Sequence, residues 1–302
     1  MKPRVLMPWV VAPDRLPAEL PVAVYDGVGD PPAAADLTEV ELYVMPYGRP
    51  GARDVIRSLP SLRVVQLLTA GYDNVLPVLP ATVELHNGTG LHDASTAEHA
   101  LALILAAQRE LPRWANDQRE RRWRPEYTRS LADSRVLIVG YGNIGRAIEA
   151  RLLPFETTVT KVARRARPAA GVHSVEELPE LIPAADIVVL VLPHTSQTQG
   201  LFGPAEFALM PDDALIVNVG RGPAIDTAAL LAQNGRIRAA LDVVEPEPLP
   251  AEHPLWRAPG VFLTPHIAGG SATFVPRAHR FVEEQVRRWA LGQPLANLVE
   301  ID

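Results

Sequence analysis

Short apolar runs recur along the whole chain, and each is followed by glycine, proline or polar residues. The clearest is Val136 to Val139, where four successive apolar residues suit a strand that is buried on both faces of a sheet. Runs of the same kind predict further strands at 4–7, 22–25, 41–45, 63–68, 83–85, 157–162, 186–192, 214–219, 239–244 and 261–263.

Apolar positions at helical spacing lie between several of these runs. After the first run, Ile144, Ile148 and Leu152 follow a period near 3.6 residues. The segment 95–111 is the clearest helix, and it is apolar on nearly every side, which is typical of a helix buried between domains or subunits. Shorter helices are predicted at 52–58, 174–181, 204–210 and 227–234, with one more after residue 271. The alternation of strands and helices predicts an α/β fold with parallel sheets.

Ser95 or Asp93 can cap the helix at 95–111, Ser95 and Glu98 have the spacing of a capping box, and Pro112 is expected to end the helix. His99 on this helix is interpreted as a packed core histidine rather than a catalyst. The basic run 119–124 is interpreted as a solvated surface, within which Trp123 is a candidate for an interface.

A glycine motif follows the apolar run at 136–139. Gly140, Gly142 and Gly145 have the GxGxxG spacing between a predicted strand and a predicted helix. In that context the first glycine permits a tight turn, the second lets a pyrophosphate approach the backbone, and the third lets the helix pack closely on the strand. The motif predicts a dinucleotide site, and a glycine-rich turn without a ligand is the alternative.

Three polar side chains follow other predicted strands of the same half of the chain. Arg221, Glu247 and His266 come after the runs at 214–219, 239–244 and 261–263, at the edge where ligands bind in open parallel sheets. Arginine presents a planar fork that matches a carboxylate, and histidine can donate a proton near pH 7. Taken singly, each has an ordinary alternative: a surface turn, an exposed loop acid and a strand cap.

Composition narrows the class of protein. A chain of 302 residues suits two domains, and its net charge of −6 argues against a nucleic-acid surface. With no cysteine, the chain has neither disulfides nor thiolate ligands, and no metal site is expected. No apolar signal core follows the Met-Lys-Pro-Arg start, and no apolar run is long enough to span a membrane. A cytoplasmic protein without membrane or nucleic-acid partners is therefore expected.

Six motifs together resemble the D-isomer-specific 2-hydroxyacid dehydrogenase family. They are TAGYDN at 69–74, AEHALALIL at 97–105, GYGNIG at 140–145, NVGRG at 218–222, LDVVEPEP at 241–248 and TPHIAGG at 264–270. The resemblance implies two Rossmann-like domains with parallel sheets and an interdomain cleft. A flavodoxin-like substrate domain would comprise 1–94 plus 275–302, and an NAD(P)-binding domain 95–274.

The resemblance also implies roles for individual residues. Arg221 would bind the substrate carboxylate and carbonyl, His266 would be the acid/base, and Glu247, rather than Glu245, would pair with it. The backbone N–H groups of Ala70 and Gly71 would hold the substrate carboxylate. The expected cofactor-binding residues are Gly140, Gly142, Asn143, Ile144, Gly145, Arg164, Arg165, Leu192, Pro193, Thr198, Val219, Gly220, Asp242, His266 and Gly269, among which Asp242 would contact the nicotinamide amide.

The chain departs from the family pattern at the end of its second Rossmann strand. Many members have an acid there, whereas this chain has Ala163, Arg164 and Arg165. Arginines suit the 2′-phosphate of NADP(H), so NADP(H) is expected to be preferred, with NAD(H) possible. Glu247 in place of glutamine disfavours formate as a substrate, and Ala70 in place of lysine disfavours phosphite.

The expected function is the reduction of a small 2-keto acid, such as glyoxylate or hydroxypyruvate, to a D-2-hydroxy acid by a homodimer. The alternative from another class is a dinucleotide-sensing, corepressor-like binding module on the same fold, since such relatives can keep the same Arg, Glu and His set.

Overall fold

The computed structural model describes residues 1–12 and 14–301, and the chain divides into two compact units. One comprises Met1–His92 and Ala272–Asp302 and is called the split unit, because it is made of two chain segments. The other comprises Asp93–Ser271 and is called the continuous unit. The sequence placed the division after residues 94 and 274, a few residues further along the chain.

Regular structure alternates along the chain much as the apolar runs predict. The strands are β1 (Val5–Met7), β2 (Val22–Val24), β3 (Leu42–Val44), β4 (Val64–Gln66), β5 (Glu84–His86), β6 (Arg135–Val139), β7 (Thr158–Ala163), β8 (Val172–Ser174), β9 (Ile187–Leu190), β10 (Leu215–Asn218), β11 (Arg238–Leu241) and β12 (Val261–Leu263). The α-helices are α1 (Asp93–Gln108), α2 (Leu111–Arg119), α3 (Asn143–Leu152), α4 (Leu178–Leu181), α5 (Pro204–Leu209), α6 (Thr227–Ala232) and α7 (Phe274–Ala290). Short 3₁₀ helices occupy Pro50–Ser58, Leu76–Val78, Leu153–Phe155, Pro168–Ala170, Val175–Glu177, Ile182–Ala184, Gly222–Ala224 and Pro254–Arg257.

Five parallel strands form the sheet of the split unit, in the order β2-β1-β3-β4-β5, which is the flavodoxin-like order. Neighbouring side chains on a strand point to opposite faces. Leu6 and Tyr43 therefore pack in one apolar cluster, whereas Val5 and Val44 pack in another together with Val282 of α7. Helix α7 thus completes a core whose strands all come from the first 86 residues.

A buried pair of glutamines joins α7 to this sheet. Gln285 Nε2 donates to Gln66 Oε1 over 2.7 Å, and neither side chain is more than 2% exposed. Gln66 Nε2 donates in turn to the backbone carbonyls of Leu67 and Asn87, at 2.8 and 3.1 Å. Because a buried amide without partners costs about 1–3 kcal/mol, this network fixes where α7 lies on the sheet.

Seven parallel strands form the sheet of the continuous unit, in the order β12-β11-β10-β9-β6-β7-β8. The chain runs outward from β6 through β7 to β8, and then continues on the other side of β6 with β9. The strand order therefore reverses between β6 and β9, and ligands bind at such a switch point in open α/β sheets. The predicted α/β architecture with two parallel sheets is confirmed.

Helix α1 packs against α3, β10 and β11 of its own unit. Four of its apolar side chains are buried in the core of that unit: Ala97, Ala100, Leu103 and Ile104. For these four residues the prediction of a position between domains or subunits is wrong, because they pack within a single unit.

The ends of α1 also differ from the sequence prediction. The helix begins at Asp93, so Ser95 lies inside it and not at its N-cap. It ends at Gln108, and Pro112 lies in the first turn of α2, where a missing backbone N–H costs nothing. The sequence missed α2 because its apolar content is too low for a periodic pattern.

None of the helices within the two described ranges is long and apolar enough to cross a membrane.

Candidate active site

The glycine turn connects β6 to α3 at the switch point of the seven-stranded sheet. Gly140 has φ = +109°, and a Cβ there would collide with the carbonyl of Val191, which follows β9. A Cβ on Gly145 would lie 2.5 Å from the Gly140 carbonyl oxygen, so the close approach of helix and strand also requires glycine. A Cβ on Gly142, by contrast, would meet no described atom within 4 Å, so this position faces open space.

The first turn of α3 presents free donors beside that space. Within the described chain, the backbone N–H groups of Gly142, Asn143 and Ile144 donate to no other group. Unpaired N–H groups and the helix dipole together favour an anion at a helix N-terminus. The turn therefore fits the pyrophosphate of a dinucleotide.

A ring of charged side chains surrounds Tyr141 in the middle of the turn. Its hydroxyl donates to Glu149, and Lys161 forms an ion pair with the same carboxylate at 3.3 Å. Arg167 donates to the Tyr141 carbonyl at 2.6 Å, with its guanidinium 5.6 Å from the ring centre. Burial is the main cause that raises the pKa of Tyr141 to about 12, and the neighbouring Glu149 carboxylate adds to it. Lys161 and Arg167 thus have partners within the protein.

Arg164 and Arg165 differ from these two cations. Both follow β7, both are exposed, and neither has a hydrogen bond or ion pair to any described residue. Two unengaged guanidinium groups therefore stand just beyond the second Rossmann strand, where a dinucleotide presents its adenosine ribose.

The other residues expected at the cofactor lie along the same edge of the sheet. Leu192 and Pro193 follow β9, and Val219 and Gly220 follow β10. A Cβ on Gly220 would lie 2.6 Å from the Leu192 backbone nitrogen, so the two loops touch. Thr198 Oγ1 closes the loop after β9 by donating to the Pro193 carbonyl at 2.6 Å.

Arg221 lies in a turn that a buried asparagine shapes. Asn218, fully buried at the end of β10, donates from Nδ2 to the Arg221 carbonyl at 2.9 Å and accepts from the Gly220 N–H at 3.0 Å. The half-buried Arg221 side chain donates to the Gly220 carbonyl at 2.8 Å. A Cβ on Gly222 would collide with the Val244 carbonyl, so this turn packs directly on the chain that leads to Glu247.

His266 and Glu247 form a hydrogen-bonded pair. His266 Nδ1 lies 2.7 Å from Glu247 Oε2, and the Val244 N–H donates to Glu247 Oε1 at 2.9 Å. Because a carboxylate can only accept, Nδ1 carries a proton and Nε2 is the nitrogen left for a substrate. The ring is 49% exposed and the glutamate 35%, so both are accessible to a ligand. Glu245, the other candidate, makes no bond to His266 among the described residues.

The pair shifts the pKa of both partners. The hydrogen bond from Glu247 raises the pKa of His266, against burial and the charge of Arg221, which lower it. Burial alone would raise the pKa of Glu247, but the hydrogen bonds from His266 and Val244 and the charge of Arg221 bring it below its usual value. Arg221 therefore lies close enough to act electrostatically on both members.

These pKa shifts predict how the dependence of kcat/KM on pH changes in Glu247→Gln. A reduction that needs protonated His266 is fast below the pKa of His266 and is lost as the pH rises through it. Glutamine cannot stabilise imidazolium by charge, so that pKa falls and the alkaline limb of kcat/KM moves to lower pH.

The measurement is kcat/KM for a 2-keto acid across pH in wild type, Glu247→Gln and Glu245→Gln. The Glu245 variant is the matched control and is expected to keep the wild-type limb. A limb that moves in Glu245→Gln instead, or in neither variant, contradicts the pairing.

Asp242 is buried beside this pair and is 1% exposed. Its carboxylate accepts from Thr264 Oγ1 at 2.6 Å and from the N–H groups of Ile267 and Ala268, each at 2.9 Å. Oδ2 accepts just one of these bonds, so it keeps an acceptor site for the predicted contact with the nicotinamide amide. Gly269 follows in the same loop.

Ala70 and Gly71 lie in the split unit, in the turn after β4, and the remaining site residues lie in the continuous unit. The turn is shaped by a bond from Thr69 Oγ1 to the Gly71 carbonyl, at 2.6 Å, and by one from Asn87 Nδ2 to the Ala70 carbonyl, at 2.9 Å. The N–H groups of Ala70 and Gly71 donate to nothing else in the described ranges, which leaves them open to an anion.

Sequence reasoning missed Asn218 and Thr264 as parts of this site. Each stands inside a motif that carries the family resemblance, NVGRG or TPHIAGG, so the motif itself was the signal in the sequence that could have identified it. Their roles depend on bonds to Arg221 and Asp242 that spacing alone does not show.

Known proteins resemble this chain in both sequence and fold. Residues 101–268 match the sequence model of the D-isomer specific 2-hydroxyacid dehydrogenase, NAD binding domain. The chain is 36% identical over 237 residues to glyoxylate/hydroxypyruvate reductase B of Citrobacter koseri. The matched region covers 74% of this chain and 72% of that protein.

Solved structures resemble the whole chain. A D-isomer specific 2-hydroxyacid dehydrogenase family protein from Aeromonas salmonicida is 28% identical, with a TM-score of 0.86 and full coverage of both chains. An NADPH-dependent glyoxylate/hydroxypyruvate reductase from Sinorhizobium meliloti, in complex with NADP and sulfate, is 27% identical with a TM-score of 0.82, covering 99% of this chain and 98% of that one.

Proposed function

Because this chain belongs to the D-isomer specific 2-hydroxyacid dehydrogenase family, and so is an oxidoreductase that acts on CH–OH groups with NAD(P), we propose that it reduces glyoxylate, hydroxypyruvate or a similarly small 2-keto acid. The family resemblance seen in the sequence is confirmed. The alternative of a corepressor-like binding module gains no support, since the relatives named above are a reductase, a dehydrogenase family protein and a second reductase.

One observation carries the proposal. Arg221 and the hydrogen-bonded pair of His266 and Glu247 follow the carboxyl ends of the neighbouring strands β10, β12 and β11. The turn that follows Arg221 packs directly on the Val244 carbonyl, the Val244 N–H donates to Glu247, and Glu247 is hydrogen-bonded to His266 at 2.7 Å. A 2-keto acid needs its carboxylate bound, its carbonyl polarised and a proton delivered to the carbonyl oxygen. These side chains supply each of those functions.

In the proposed reaction, Arg221 binds the substrate carboxylate and polarises the adjacent carbonyl. A reduced nicotinamide cofactor, held at the glycine turn 140–145 and by Asp242, would supply the hydride when bound. His266 Nε2–H donates its proton to the carbonyl oxygen, and Glu247 stabilises the imidazolium before the transfer and holds the ring in place through Nδ1. The product is a D-2-hydroxy acid.

The substrate class is tested with a panel of 2-keto acids of increasing side-chain size. Glyoxylate and hydroxypyruvate are expected to give the highest kcat/KM, because the similar proteins from Citrobacter koseri and Sinorhizobium meliloti bear the names of reductases of these acids. Turnover confined to bulky 2-keto acids, or no turnover of any member of the panel, contradicts the proposal.

We further propose that NADP(H) is the preferred cofactor. Arg164 and Arg165 are exposed and unengaged beyond β7, whereas Lys161 and Arg167 are occupied by Glu149 and Tyr141. The second strand and the turn after it, residues 158–170, contain no acid that would repel a 2′-phosphate. A free guanidinium is the group best suited to bind it.

We expect wild type to use NADPH with at least about tenfold higher kcat/KM than NADH, since a charge-assisted hydrogen bond contributes about 1.5–3 kcal/mol. Arg164→Ala should lose most of that preference by weakening NADPH alone. Arg151→Ala, which removes an arginine from the far end of α3, is the matched control and should change neither cofactor. A wild-type preference for NADH refutes the proposal.

We also propose that the protein is a homodimer joined through the segment 109–128. Trp123 and Tyr127 in this segment are 95% and 107% exposed, an extent that is unusual for large aromatic side chains. Aromatic residues and arginines are enriched in interfaces between subunits, and this segment holds six arginines besides its aromatic residues. A second copy of the chain is the proposed partner.

Light scattering at micromolar concentration is expected to give twice the chain mass of 32.8 kDa. Replacing Trp123 and Tyr127 by serine should shift the protein toward monomer, because the buried aromatic surface is lost. Serine in place of Trp256, an aromatic residue outside the segment that is 52% exposed, is the control and should leave the mass unchanged. A monomeric wild type rules the dimer out.

A further inference from the structure

His99 of α1 reaches the loop that carries the catalytic histidine. Its Nε2 lies 2.9 Å from Thr264 Oγ1 and 3.3 Å from Asp242 Oδ1, although Thr264 is 165 residues away in the chain. The side chain is 19% exposed, so it is largely enclosed by these contacts. The sequence predicts His99 to be a packed core histidine, and the proposed reaction assigns it no role.

The direction of each hydrogen bond follows from what each group can donate. An ionised Asp242 can only accept, so the single proton of the Thr264 hydroxyl goes to Asp242 Oδ1, over 2.6 Å. The Thr264 oxygen is then an acceptor for His99, whose Nε2 must carry a proton. His99, Thr264 and the N–H groups of Ile267 and Ala268 thus all donate toward one buried carboxylate.

This carboxylate holds both ends of a five-residue loop, 264–268, with His266 at its centre. The His266 N–H donates to the Asp242 carbonyl at 2.7 Å, and the residue has φ = +51°, in the left-handed region that a side chain disfavours. Such a conformation persists when the surroundings over-determine it. Loss of one donor weakens the bonds that keep His266 in this conformation.

The carboxylate of Asp242 is ionised although the side chain is buried. Burial alone would raise the pKa of Asp242, but the bonds from His99, Thr264 and the two backbone N–H groups bring it below its usual value. The titratable groups that face it are His99 from α1 and, across the loop, His266, whose pKa the Asp242 charge helps to raise.

We propose that His99 is a positioning residue of the active site, which acts through Thr264 and Asp242 to hold the loop 264–268 in the conformation that presents His266 to the substrate. The inference rests on the proposed function for its kinetic consequence, and on geometry alone for its structural one. Glutamine places an N–H donor about where Nε2 of histidine lies, whereas leucine fills the space without a donor.

The experiment compares His99→Leu and His99→Gln in two measurements. In the protein without cofactor, amide hydrogen exchange of the peptide spanning 264–270 should be faster in His99→Leu than in wild type, and near wild type in His99→Gln. In steady-state reduction of glyoxylate, His99→Leu should lower kcat on the order of tenfold, because a misplaced acid loses its alignment. KM for glyoxylate should change little, since Arg221 is untouched, and His99→Gln should restore most of kcat.

Gln108→Leu is the matched control for a mere loss of helix packing. Gln108 is a buried polar residue of the same helix and bonds to Arg238 at 2.8 Å, with no contact to the loop. It should lower the melting temperature and leave both the loop exchange and kcat near wild type.

The proposal is overturned if His99→Leu leaves the exchange of 264–270 unchanged, if His99→Gln fails to rescue it, or if Gln108→Leu reproduces the effect. Absence of turnover in wild type would refute the proposed function instead, and the exchange measurement would still decide the role of His99.

Discussion

His266→Gln is expected to lower kcat/KM for 2-keto acid reduction by about a thousandfold. Positioned general acids contribute roughly 10²–10⁴-fold, and glutamine can fill the site and form a hydrogen bond but cannot deliver a proton. The hydrogen bond from Glu247 raises the pKa of His266, which favours the protonated form that a general acid needs. The loss should fall on kcat, since proton transfer matters in the transition state and less in substrate binding.

His279→Gln is the control, because this histidine lies on α7 of the split unit, where it stacks on Trp9 at 4.2 Å. It should keep wild-type turnover. Cofactor binding, followed by nicotinamide fluorescence, should survive in both variants. Turnover by His266→Gln within tenfold of wild type would show that the proton comes from elsewhere.

Arg221→Lys is expected to lower kcat/KM by about a hundredfold or more, on the scale of removing one transition-state donor. Lysine keeps the charge, so long-range attraction of the carboxylate remains. It loses the planar fork that can bind a carboxylate and a carbonyl oxygen together, and its ammonium must adopt one geometry from a flexible stem. The backbone at Arg221 is extended and its carbonyl is held by Asn218, so the main chain cannot shift to bring the lysine ammonium closer to the substrate.

The effect of Arg221→Lys should appear in both kcat and KM, because in the proposed reaction the same side chain binds and polarises the substrate. Arg129→Lys, at a surface ion pair with Asp213, is the charge-matched control and should be silent. Near-normal turnover by Arg221→Ala would remove this arginine from the site altogether.

Much of the continuous unit follows from local rules. The roles of Gly140 and Gly145 could be predicted from the sequence, because the turn needs a positive φ at the first and a close approach of helix and strand at the second, which only glycine allows. The strands were found because buried parallel strands need continuous apolar runs, which other segments rarely show. The edge strand β8 was missed, since only one of its three residues, Val172, is apolar.

The connections between distant segments could not be predicted in this way. His99 meets Thr264 across 165 residues, and Gln285 meets Gln66 across 219 residues, and no spacing rule links such positions. Spacing also cannot decide between Glu245 and Glu247 as the partner of His266, for the same reason. Both follow the strand β11, and only the path of the chain after Val244 determines which carboxylate reaches His266.

The two-segment construction of the split unit has a consequence for biosynthesis. Its sheet is complete in sequence at β5, but one face, with Val5 and Val44, is covered by α7. At ~5–20 residues per second, the ribosome needs roughly 10–40 s after β5 to deliver that helix. During this interval the continuous unit can fold by itself, while the earlier strands keep an uncovered apolar face. The nascent N-terminal segment therefore exposes apolar surface of the kind that chaperones cover until α7 has been synthesised.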